Sequence, residues 1–205
     1  MLTDEKLKQK IDMLCKDNIL LEKIKATIKN GVETQYPEIQ KLYEAGKALS
    51  VEFDKCFTGF YNVRFKSTFN YKALQSIIAD GKTIPFADVI ARVRTNNNQY
   101  SFASKALHTI DNNLPIIDKH ILSFFHENRS LESYENIKKL YKNREANGLN
   151  KLIDVFNKMY YDRNFSEVKK IDFIIWGYGR VLDEGKKATT KGSKKKNKKT
   201  EQRRG

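Results

Sequence analysis

The chain is short of the residues that break helices: three prolines and ten glycines among 205 residues. That scarcity argues against a turn-rich β fold and for helices. Two cysteines are present, Cys15 and Cys56, far apart and without a CxxC partner. Alone they build neither a zinc site nor a four-cysteine iron–sulfur cluster, and no metal or other cofactor is expected. No apolar run approaches the roughly 20 residues of a membrane span, so no membrane association is expected. Met1-Leu2-Thr3-Asp4-Glu5-Lys6 is polar and charged rather than a secretory leader, and a cytoplasmic location is expected. Acids are also in short supply: 25 against 39 lysines and arginines, a formal charge of +14.

What is there is apolar enough for a core, with 40% hydrophobic and 11% aromatic residues. Leu7, Ile11, Leu14, Ile19, Leu21, Ile24 and Ile28 recur mostly at spacings of three and four over 4–29, with a break predicted near Asp17-Asn18. Asn30-Gly31 reads as a helix stop, and Pro37 as an early position of the next helix. Phe53, Phe57, Phe60 and Tyr61 also fall at helical spacing. Packing in the core is their simpler reading, and a surface for stacking a base is the functional one. Arg64 and Lys66 sit among these aromatics and suit a phosphate. Further helices are predicted over Tyr71–Ala79, from Phe86 to Thr95, across Phe102–Ile110, and then through Phe125, Tyr141, Tyr160 and Trp176. The expected fold is all-α: a helical bundle with an N-terminal segment 1–50, a core 51–184 and a tail 185–205. Residues 186–204 hold ten lysines and arginines against Glu201, which accounts for most of the excess charge. Such a run predicts a disordered polycation that binds phosphates without reading sequence, on DNA or, through the tail, on RNA.

The most informative stretch is Ser101 to Ile121. It reads as the second arm of a helical hairpin, a loop through Pro115, and a new helix opening at Lys119. Asp118 stands at the N-cap of that helix, behind Ile116 and Ile117. Taken singly, each residue has a structural reading: Asp118 as a cap, Lys105 as a solvated lysine, the histidines and Trp176 and Tyr178 as packing. Taken jointly, a lysine and a carboxylate close in sequence at the edge of a buried segment suit imine chemistry.

These motifs resemble the helix–hairpin–helix superfamily of DNA glycosylases, which includes endonuclease III-like and 8-oxoguanine glycosylase proteins. Gln99-Tyr100-Ser101-Phe102-Ala103-Ser104-Lys105 corresponds to the family's Leu-Pro-Gly-Val-Gly-x-Lys hairpin, and Ile117-Asp118-Lys119-His120-Ile121 to its Val-Asp-x-His-Ile segment. Ser101 and Ala103 replace hairpin glycines, and the interval from Lys105 to Asp118 is shorter than in endonuclease III-like enzymes. A group of small bacterial proteins with an 8-oxoguanine glycosylase-like fold is similar in its Ala-Ser-Lys, Pro-Ile-x-Asp and Trp-x-Tyr-Gly patterns. The resemblance spans about residues 60–182. It implies a helix–hairpin–helix element and a base-excision N-glycosylase with abasic-site lyase activity. Lys105 would be the nucleophile and Asp118 its electrostatic partner. It further implies DNA contacts from Ser101, Ala103 and Ser104, joined by Arg64 and Lys66. Phe102, His120, Trp176 and Tyr178 are the pocket residues, and the protein is expected to act as a monomer on damaged or modified duplex DNA. The rival reading is a non-catalytic helical protein that binds DNA or RNA through its tail.

Overall fold

The structure, a computed structural model, describes residues 2–61, 70–93 and 100–201, with side chains as far as Lys187. Among these residues every regular element is helical. α1 (Asp4–Lys16) and α2 (Asn18–Asn30) are separated by Asp17 alone. Its carboxylate accepts from the Leu20 amide and so caps α2, which explains the break at that point. The predicted stop at Asn30-Gly31 is not a stop. Gly31 keeps helical dihedrals and opens a π-helical turn, Gly31–Gln35, that runs directly into α3 (Tyr36–Glu44). Its missing side chain serves packing: a Cβ at Gly31 would lie 3.1 Å from the Phe60 ring.

α4 (Val51–Tyr61) carries the aromatic run, with Phe53, Phe57 and Tyr61 buried as core packing requires. α5 (Tyr71–Asp80) ends at Gly81, whose left-handed backbone closes the helix. α6 (Phe86–Val93) and α7 (Tyr100–Ile110) pack against each other on either side of residues 94–99. After the 111–118 loop come α8 (Lys119–Phe125), α9 (Leu131–Lys142) and α10 (Asn150–Met159).

α11 (Glu167–Glu201) is the central strut, touching α2, α8 and α10. Two glycines let it in. A Cβ at Gly177 would fall 2.7 Å from Ile28 of α2, and one at Gly179 would run into the imidazole of His120 on α8. Residues from 1–50 (Leu7, Ile24, Tyr36) and from 51–184 (Phe57, Leu107, Ile174) share one hydrophobic cluster.

The tail differs from the sequence expectation. Composition predicts disorder from 185 onwards, whereas α11 continues as helix to Glu201. Residues 186–201 contain no proline and are rich in lysine, whose helix propensity is close to that of the best formers. No helix among the described residues is long and apolar enough to cross a membrane.

Candidate functional site

A cavity of about 500 Å³ opens between the α2–α3 corner, the end of α4, α7, the start of α8 and α11. Lys105 and Asp118 both line it, with Ser101, Phe102, His120 and Trp176. The short interval between lysine and aspartate is closed by the residues just before each of them. The Ser104 hydroxyl donates to the Ser101 carbonyl and accepts from the Ile117 amide, at 3.0 Å each. One helical turn further on, His108 Nδ1 donates to the Leu114 carbonyl at 2.6 Å and Nε2 accepts from the Tyr36 hydroxyl at 3.1 Å. Burial holds His108 down to about 3, so it is neutral and structural. These two side chains staple α7 to the 111–118 loop and thereby set Lys105 and Asp118 on one cavity wall.

Lys105 is 7% exposed. Its ammonium donates to the Tyr61 carbonyl at 3.4 Å and stands 5.2 Å from the ring centroids of both Tyr61 and Phe102. Burial pushes the amine below the ordinary lysine value; Asp118 opposes the shift and Arg129 adds to it. Asp118 caps α8 as the sequence predicts. The amides of His120 and Ile121 both bond to Oδ1, at 2.9 and 3.0 Å, which leaves Oδ2 outside the cap. Capping and a second role are therefore compatible.

Several expected contacts fall elsewhere. Ala103 and Ser104 are fully buried within α7, and Ser104 spends its hydroxyl on the two backbone groups above, so neither is open to a phosphate. The segment from Tyr100 to Lys105 is helix rather than hairpin loop. Tyr178 is not among the cavity-lining residues; its ring meets Phe124 edge-on at 5.8 Å, because it points to the α8 side of α11. Arg64, Lys66, Gln99 and the predicted helix end at Thr95 lie outside the described residues.

Two cavity residues escaped the sequence reading. Lys169 is 3% exposed and Asp172 4%, one turn apart on α11. The Lys169 ammonium sits over four rings, 4.3 Å from Tyr36, 4.8 Å from Phe173, 5.3 Å from Phe60 and 5.6 Å from Tyr61. Burial lowers it to about 8, against the pull of Asp172 and Asp118, and Lys105 lowers it further. Asp172 Oδ1 accepts from the Tyr141 hydroxyl at 2.8 Å, while Oδ2 is buried without a hydrogen-bond partner. Burial raises this carboxyl to about 7, opposed by Lys169 and Tyr141. The available signal was a stripe at spacings of three and four: Lys169, Asp172, Phe173, Trp176 and Arg180, all cavity-lining.

The remaining wall is aromatic and basic. Trp176 meets His120 edge-on at 6.3 Å and carries the Arg180 guanidinium 5.7 Å from its ring. Lys119, Arg129 and Arg180 bring cations to the lining; Lys119 pairs with Asp183 and Arg180 with Glu184. Such a hollow combines a desolvated amine, a carboxylate and flat apolar faces, and its volume falls within the range of small-ligand pockets. Among the described residues no group of three or more metal-ligating side chains is gathered. No protein family, curated protein or solved structure matches the chain.

Proposed function

We propose that the protein is a DNA-binding base-excision N-glycosylase with abasic-site lyase activity. The observation that carries this reading is the presence of the Lys105 amine and the Asp118 carboxylate in one cavity of about 500 Å³. Phe102 and Trp176 supply flat faces for an everted base, which extrahelical recognition requires. Lys119, Arg129 and Arg180 supply positive charge for the flanking phosphates.

In this mechanism the uncharged Lys105 amine attacks C1′ of the everted nucleotide. The glycosidic C–N bond breaks, and the base leaves with the electron pair and takes up a proton. Asp118 stabilises the positive charge that develops on the sugar. Loss of a proton from nitrogen and opening of the sugar ring leave an imine between Nζ and C1′. Removal of a C2′ proton then breaks the C3′–O bond and releases the 3′ phosphate, nicking the strand. The basic tail keeps the enzyme near nucleic acid through counterion release.

The test is borohydride trapping on duplexes carrying an abasic site or 8-oxoguanine. A covalent adduct formed by the wild-type chain and lost at least a hundredfold in Lys105→Ala supports the enzyme. DNA binding at low salt without any adduct favours a non-catalytic nucleic-acid-binding protein instead.

A further inference from the structure

Nicking by an imine needs a base: once Nζ of Lys105 is joined to C1′, a proton must leave C2′ before the 3′ phosphate departs. Lys105 and Asp118 are occupied in forming the imine, and neither is assigned to that proton. Asp172 lines the same cavity and is only 4% exposed. Its two oxygens are unlike. Oδ1 accepts from the Tyr141 hydroxyl at 2.8 Å, which holds the carboxylate in place, while Oδ2 is buried and has no hydrogen-bond partner. A buried acceptor left unpartnered costs stability, and a catalytic role is one of the few reasons a fold retains it. We propose, resting on the glycosylase–lyase reading, that Asp172 is a further catalytic residue: its Oδ2 removes the C2′ proton of the Lys105 imine and so drives the nicking step.

The other ionisable groups of the cavity are less suited to the task. Asp118 balances the sugar cation and then the protonated imine, and taking up the C2′ proton would cancel that charge while it is needed. Its Oδ1 is also committed to the His120 and Ile121 amides. The Lys169 nitrogen stands over four rings, which favour its charged form, and an ammonium has no lone pair to accept a proton. Asp172 fits on chemistry as well as position. Burial raises its carboxyl to about 7, and Asp118 adds to the rise; Lys169, Tyr141 and the Ile116 amide oppose it. Such a carboxylate is a stronger base than an ordinary one and is still ionised to a useful extent near neutral pH.

The step balances as follows. Oδ2 takes the C2′ proton, and the C–H electron pair forms a double bond between C1′ and C2′ as the imine pair moves onto the protonated Nζ. That pair then returns to re-form the imine, a double bond forms between C2′ and C3′, and the C3′–O bond breaks with its electrons leaving on the 3′ phosphate. Water hydrolyses the conjugated imine to free Lys105, and Asp172 gives its proton to solvent. The experiment compares two readouts on one abasic duplex under single turnover: borohydride-trapped adduct, which reports the imine, and strand nicking without borohydride, which reports its breakdown. The full chain is used as wild type, Asp172→Asn and Asp172→Glu. The Lys105→Ala rate is subtracted, because any free amine, those of the tail included, can nick an abasic site.

The expected result for Asp172→Asn is trapping as fast as in the wild type with nicking slowed about a hundredfold, so that the imine accumulates. Undiminished trapping also shows that the variant is folded. Asp172→Glu, which restores a carboxylate, is expected to recover part of the nicking rate. Nicking by Asp172→Asn at the wild-type rate overturns the inference, because another base then serves. Trapping and nicking that fall together by one factor overturn it too, since that marks support of the site rather than action on the second step. So does Asp172→Glu nicking no faster than Asp172→Asn. Each of these leaves the glycosylase–lyase reading intact, whereas absence of Lys105-dependent trapping by the wild-type chain overturns both.

Discussion

Lys105 and Asp118 line one cavity, and the Ser104 hydroxyl hydrogen-bonded to the Ile117 amide ties their segments together one residue upstream of each. Asp118 caps α8, and the proposed mechanism gives it a second, separable role. Asp118→Asn retains an oxygen for the α8 cap and is expected to keep its stability while slowing trapping by about a hundredfold. Asp118→Ala adds the loss of the cap, and a denaturant titration is expected to show about 1 kcal/mol of destabilisation beyond Asp118→Asn. Asp172 predicts a pH signature. Its carboxyl, at about 7 in the folded chain against 3.8 in the unfolded one, binds its proton more tightly when folded. Its contribution to stability is therefore present in full below pH 3.8 and lost as pH rises through about 7. Denaturant midpoints measured from pH 4 to 8 are expected to lose this component in Asp172→Asn. Lys105 and Asp118 were legible in the sequence because a small-residue approach and an N-cap are local patterns. Lys169 and Asp172 were not. A Lys-Lys pair beside the start of a helix reads as solvated, and only tertiary packing brings four rings around one of its members.

Among the elements, the helices with strong periodicity and an identifiable cap follow the sequence closely. The break at Asp17 rests on a side-chain cap and the end of α5 on the backbone freedom of Gly81, both acting within a few residues. The departures have non-local causes. Gly31 reads as a stop, yet it is glycine because the Phe60 ring leaves no comfortable room for a side chain. Trp176-Gly177-Tyr178-Gly179 invites a functional reading as a whole, but only Trp176 lines the cavity, while the two glycines seat α11 against α2 and α8. Each glycine is thus a packing requirement of the helix that carries Lys169 and Asp172. Gly177→Ala and Gly179→Ala are expected to destabilise the fold by about 1–3 kcal/mol through overpacking. Gly59→Ala, in α4 where a Cβ meets open space, is expected to stabilise it by about 0.5–1 kcal/mol. Thermal unfolding of the three variants side by side checks both signs.

At the scale of the whole molecule, the described residues form a helical bundle around a basic, aromatic hollow, and a strongly cationic C-terminal run extends from the helix that forms part of its wall. Fold class was legible because few prolines and sustained helical periodicity leave little alternative. The hollow was not, since its walls come from residues more than 140 positions apart, from Thr27 to Arg180. The cationic run has a quantitative consequence. Replacing Lys194, Lys195, Lys196, Lys198 and Lys199 by glutamine is expected to flatten the slope of log affinity against log salt on duplex DNA. The change should be about 0.9 for each cation that contacted a phosphate, and fluorescence anisotropy across a salt series measures it. Trapping at low salt is expected to persist in that variant, because the proposed mechanism places the chemistry in the cavity rather than in the tail. The central claim is the identity of the attacking amine, and peptide mapping of the borohydride-reduced DNA adduct by mass spectrometry tests it most directly. The account predicts the sugar remnant on the peptide containing Lys105. A remnant on Lys169 or on the tail lysines, or no protein-bound remnant at all, would contradict it.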